Sequence, residues 1–177
     1  MSTTVTFHDA ICDFLEKKVA SRYNLKTVDI NGNESNRPPQ IVRSGLLLPK
    51  SISSIGNGDG NFPFIMPRFF KAENIRNERQ SIVTLDVFYG VYGPGVYDDD
   101  TGQLMNDGTG YRDLWNLIES TRQAIFSTMT IDRKYRVMED FFEAGMIQED
   151  IYPYWEGYCR TRWHIVYPRP PLEEHLF

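Results

Sequence analysis

Residues 81–92 repeat with a period of two: Val83, Leu85, Val87 and Tyr89 interleave with Thr84, Asp86 and Phe88. Successive side chains of a strand leave opposite faces, so this period predicts a strand with one buried face. Gly93-Pro-Gly closes it. A second alternation fills residues 154–167. There Cys159, Thr161, Trp163, Ile165 and Tyr167 interleave with Tyr158, Arg160, Arg162, His164 and Val166, and Pro168, Pro170 and Pro171 stop the run. A chain with two such strands must supply something to cover their apolar face.

Two helices answer that need. Phe7, Ile11, Phe14, Leu15 and Val19 fall at helical spacing, with Asp13, Glu16, Lys17 and Lys18 elsewhere. They predict a helix over residues 6–22, with Thr6 as its N-cap and Asp9 in the first turn. Tyr111, Leu114, Trp115, Ile118, Ile125 and Phe126 predict a second helix over 111–127. Residues 62–70 read as extended, with Pro63 and Pro67 placing them at an edge or bend. Residues 136–144 are ambiguous between strand and helix. The expected fold is α+β, a small and mainly antiparallel sheet with helices packed on one face and long loop insertions. Its expected core is Phe14, Leu15, Val83, Leu85, Val87, Leu114, Trp115, Ile118, Trp163 and Ile165.

The 177 residues fit a single domain, with no internal repeat. Two polar stretches stand out from it as long loops, 31–61 and 94–110, and 168–177 forms a C-terminal tail. Asn31-Gly-Asn-Glu-Ser-Asn-Arg-Pro-Pro breaks any regular element, and Ile55-Gly-Asn-Gly-Asp-Gly-Asn follows the apolar patch Leu46-Leu-Leu-Pro. Loops of this length in a compact domain are usually functional or disordered.

A net charge of −5 argues against a nucleic-acid-binding surface, which needs clustered Lys and Arg. No run approaches the roughly 20 apolar residues that span a bilayer, and residues 1–10 lack the basic start and apolar core of a signal peptide. The expected site of synthesis is the cytosol. Two cysteines, Cys12 and Cys159, are too few for a disulfide scaffold and are expected to be reduced and unbridged. Aromatic residues make up 14 % of the chain, and these side chains are enriched both in cores and at protein interfaces.

The sequence offers little for catalysis. Cys159 and His164 read as the only nearby Cys/His pair, but five residues apart on one strand they point to opposite faces. His8 and His175 have no second ligand at metal-binding spacing. There is no nucleophile elbow and no phosphate-binding loop. Asp98-Asp99-Asp100-Thr-Gly, with Asn106 and Asp107 behind it, is the best candidate for a cation. Counted from Asp98, however, a Ca²⁺ loop would need Gly at position 103 and Glu at 109, where Gln103 and Thr109 stand. The expectation is therefore no enzyme, no metal and no cofactor. Charge pattern suggests an interface instead. Arg160, Arg162 and His164 share one face of the last strand, either as its solvated side or as a positive strip for a neighbour. The acidic counterpart is Asp98, Asp99 and Asp100, with Tyr92 and Tyr97 at the margin of the same loop.

The order of elements resembles the tail terminator proteins of long-tailed bacteriophages and phage-tail-like bacteriocins. The features that carry this are an N-terminal helix (Phe7 to Val19), the extended Phe62-Pro-Phe-Ile-Met, and a strand ending at Pro94. A helix opening Tyr111-Arg-Asp-Leu-Trp-Asn-Leu-Ile-Glu and a last strand bearing Trp163 complete it. The resemblance spans most of residues 5–167; this chain is longer than the smaller members through 31–61 and 94–110. It implies a six-membered ring of identical subunits on the last tail-tube ring, which stops polymerisation and docks to the head–neck connector. Sheath protein would be a further partner in a contractile tail, and the location would be the virion, after assembly in the bacterial cytoplasm. A head–tail joining or neck protein is the alternative within that class, and a Ca²⁺ or small-ligand module is the alternative outside it. The resemblance carries no individual binding residue across.

Overall fold

The computed structural model describes residues 4–29, 31–45, 61–75, 80–147 and 152–166. Within them the fold is α+β. Helix α1 (Thr4–Lys18) leads through a 3₁₀ turn to the hairpin of β1 (Leu25–Val28) and β2 (Glu34–Arg37). Strands β3 (Gln40–Ile41), β4 (Phe64–Ile75) and β5 (Gln80–Tyr92) follow, then the small hairpin β6 (Val96–Tyr97) and β7 (Leu104–Met105). Helix α2 (Thr109–Thr128) precedes β8 (Thr130–Ile131), β9 (Tyr135–Met146) and β10 (Tyr154–Val166). The main sheet has the order β3-β4-β5-β10-β9-β8, antiparallel throughout except for the short β3–β4 pairing.

At its centre β5 and β10 pair without interruption from Tyr154 opposite Tyr92 to Val166 opposite Gln80. This register puts Val83, Leu85, Val87 and Tyr89 on the same face as Cys159, Thr161, Trp163 and Ile165, and all eight are buried. Both helices cover that face. Phe7, Ile11, Phe14 and Leu15 of α1 and Leu114, Leu117, Ile118 and Ile125 of α2 join these strand residues in one core. Its densest part is aromatic: Phe7 lies 5.1 Å from the Trp163 ring, 4.9 Å from Tyr135 and 5.8 Å from Phe69. The one polar atom of Trp163 is satisfied, its Nε1–H donating to Thr161 Oγ1 at 2.8 Å. Two glycines let α2 sit close. A Cβ on Gly157 would stand 2.9 Å from Gly145 O and press on Leu114 and Ile118, and one on Gly110 would run into the Trp155 indole.

Several expectations need correction. The first helix already includes Thr4, so Thr6 is not its cap; its hydroxyl instead shares a hydrogen bond with Tyr135 Oη at 2.9 Å. Tyr111 is exposed and Trp115 only half-buried, because the buried stripe of α2 runs through Leu114, Leu117, Ile118, Thr121, Ala124 and Ile125. Residues 136–144 are strand. Neither long loop is free of regular structure. Within 31–61, β2 and β3 form, the turn before β2 being held by Asp29, whose Oδ1 accepts from the Asn31 and Asn33 amides. Within 94–110 the β6–β7 hairpin forms. Local polarity concealed these short strands, which have few apolar residues to alternate. The patch Leu46-Leu-Leu-Pro, the 55–60 glycine run, Tyr167 and the tail 168–177 lie outside the described residues.

The packing predicts a difference between two tryptophans. Trp163→Ala empties a fully buried site and should cost roughly 3–5 kcal/mol. Trp115→Ala, at a half-buried site, should cost clearly less. Urea midpoints of the two variants at unchanged m-value measure this directly.

Candidate functional site

The face of the sheet turned away from the helices carries the side chains that the core rejects. From β4 these are Phe64, Met66, Arg68 and Lys71, which pair with Gly90, Phe88, Asp86 and Thr84 of β5. From β10 they are Tyr158, Arg160, Arg162 and His164. The end of this face near Tyr92 is filled by aromatic packing. Phe62 and Phe64 meet edge to face at 5.1 Å, and the Phe62 ring lies 4.6 Å from that of Tyr154. Both rings lie over Gly90, where a Cβ would collide with them. Tyr92 takes part: its ring is 5.6 Å from Tyr154 and its hydroxyl donates to Glu34 Oε1. Burial, with the Glu34 carboxylate, pushes this phenol up to about 12, so it stays a donor at any physiological pH.

The other end is built on two interruptions of the ladder. In β4, Phe70 is inserted between Phe69 and Lys71, which pair with the consecutive Leu85 and Thr84. In β9, residues 138–141 stand opposite Arg162 alone, because Phe142 pairs with Thr161 and Val137 with Trp163. Bulges re-aim side chains, and here each brings an aromatic ring onto an arginine. Arg160 lies 4.1 Å from the Phe70 centroid and Arg162 lies 4.2 Å from that of Phe141.

The two arginines are not equivalent. Arg160 grips Asp86 with both ends of its fork, Nε to Oδ1 at 2.6 Å and a terminal nitrogen to Oδ2 at 2.9 Å. Asp86 is only 6 % exposed, so this is an internal pair. It takes Arg160 out of the strip expected to meet a neighbour. Arg162 is exposed, with its guanidinium over Phe141. Phe70 is 61 % exposed, a large apolar group left on the surface beside this cation strip.

The acidic loop resolves in the same manner. Asp98 is a turn residue: Oδ1 accepts from the Asp100 amide and Oδ2 from the Thr101 hydroxyl, and these bonds lower its pKa. Asp99 and Asp100 are exposed at the tip of the β6–β7 hairpin. The Tyr97 side chain lies outside the described residues, although its backbone belongs to β6. Val96 and Met105 pair across this hairpin and are 55 % and 58 % exposed. No groups of three His, Cys, Asp or Glu side chains suited to a metal occur among the described residues.

Cys159 and His164 do point to opposite faces. The couple that the fold brings together is His8 and Cys12, one turn apart on α1, with the sulfur 3.8 Å from Nδ1. Pairing Cys159 with His164 from the sequence misses it, although its i, i+4 spacing on a helix is the signal. It is not an activated thiol: burial drives Cys12 up to about 11, and His8 Nε2 contacts the Pro67 carbonyl oxygen at 3.1 Å. Cys159, fully buried beside the Tyr89 hydroxyl at 3.1 Å, is driven up to about 12 by burial. No helix among the described residues is long and apolar enough to cross a membrane. Comparison with protein-family models and with curated proteins finds no match.

Two outcomes follow. Arg160→Ala strands a buried carboxylate and should lower stability by roughly 2 kcal/mol or more, while Arg162→Ala should change it by about 1 kcal/mol at most. Paired denaturation curves separate the two. Both thiols should resist a maleimide at pH 8 in the native protein and react fully once it is unfolded, as read by intact-mass spectrometry.

Proposed function

We propose that this chain is a structural assembly subunit of a phage or phage-tail-like particle, a tail terminator that closes the tube at its head-proximal end as a hexameric ring. The observation that carries this reading is the asymmetry of the sheet. Its helix-covered face holds the core, whereas the opposite face ends in a bulge-built platform of Phe70, Phe141, Arg160 and Arg162. Aromatic residues and arginine are the types enriched at protein interfaces. Exposed apolar groups also occur away from this platform, at Val96 and Met105 on the hairpin and at Tyr111 and Tyr152. A chain with two unlike sticky regions is suited to head-to-tail contact, which closes into a ring when the rotation permits. The order of elements, resembling that of tail terminators, supports the particular role.

In such a particle the partners are copies of the chain itself, the tail-tube protein, the head–neck connector and, in a contractile tail, the sheath. A neck protein that joins head to tail would use the same surfaces with a different neighbour. The distinguishing experiment is a tube-polymerisation assay. Cognate tube protein should give short, capped tubes when the chain is added, with the chain at one tube end by labelled electron microscopy. Tubes of unchanged length with unlabelled ends would contradict the terminator role.

A further inference from the structure

We infer that the bulge-built platform receives the acidic β6–β7 hairpin of a second copy of this chain, with Arg162 facing Asp99 and Asp100. This rests on the ring reading and names the contact that closes the ring. Two properties of the platform define its occupant. Arg162 presents an exposed positive charge, and Phe70 presents exposed apolar surface next to it. The occupant must therefore be acidic and apolar at once. The β6–β7 hairpin combines these features on one small element: Asp99 and Asp100 are exposed at its tip, and Val96 and Met105 are exposed on its body.

The two surfaces are well separated along the same strand pair. Arg162 sits opposite Thr84, eight residues before Tyr92, after which the hairpin begins. At the rise of a strand those eight residues span about 27 Å. This separation suits a heterologous contact, where each copy gives its hairpin to one neighbour and its platform to the other. The internal engagements sharpen the assignment. Arg160 is held by Asp86, and Asp98 is held by its own turn, so neither is the pairing group. Of Arg160 and Arg162, and of the three loop carboxylates, the pairing falls to Arg162 and to the two at the tip.

The test is charge reversal in the full-length chain, read as the oligomer distribution by mass photometry over a concentration series. Arg162→Glu and the double variant Asp99→Lys/Asp100→Lys should each weaken self-association at least about tenfold, since like charges then face each other. Combining all three reversals should recover most of the loss. Arg162→Gln, which removes charge without reversing it, should fall between, and circular dichroism of each variant confirms that it is folded. Assembly should also weaken as salt rises from roughly 0.05 to 0.5 M. Rings that form unchanged in both reversal variants, even if capture of another partner is lost, overturn this contact and leave the ring reading standing. Absence of recovery in the triple variant overturns it as well. A wild-type chain that stays monomeric throughout overturns the ring reading and this contact with it.

Discussion

Everything in this molecule follows from the register between β5 and β10. The pairing runs without a bulge from one end of both strands to the other, so every odd-numbered residue of the pair faces the helices and every even-numbered one faces away. A slip of β10 by one residue against β5 would send Cys159, Trp163 and Ile165 to the open face and bring Arg160 and Arg162 into the core. The cost of burying those charges without solvent fixes the register as firmly as the apolar packing does. The outer strands are less constrained, and that is where the ladder breaks.

Those breaks give the open face its character. Had β4 and β9 paired as regularly as the centre, Phe70 would not be an extra residue in its ladder, and Phe141 would not lie in a stretch opposed by Arg162 alone. Each bulge instead places an aromatic ring against an arginine of β10. The Arg160–Asp86 pair between them anchors the centre of this surface, leaving Arg162 among its outward charges. A rigid sheet with a fixed arrangement of rings and charges suits a docking surface, because little side-chain freedom remains to be lost on contact.

The central strands and both helices were legible in the sequence because each buries a full stripe, and a stripe of known period identifies its element. The opposite faces of Cys159 and His164 and the shared face of Arg160 and Arg162 followed from the same rule. Short hairpins were not legible: β1–β2 and β6–β7 have strands of two to four residues, too short for a period to show, and their turns carry side-chain hydrogen bonds of Asp29 and Asp98. Nor could the bulges be read, since an inserted residue shows only when the partner strand is known. That is why Arg160 looked like a free surface cation. Its partner Asp86 lies 74 residues away in the chain, and only the pairing of strands brings the two together.

The central claim is that the two unlike surfaces of one chain meet in a closed, head-to-tail assembly. Native mass spectrometry of the full chain at low ionic strength tests it most directly. The account predicts one dominant closed species, the hexamer, with no ladder of larger multiples. A monomer at every concentration, or an open series of oligomers without a preferred size, would contradict it.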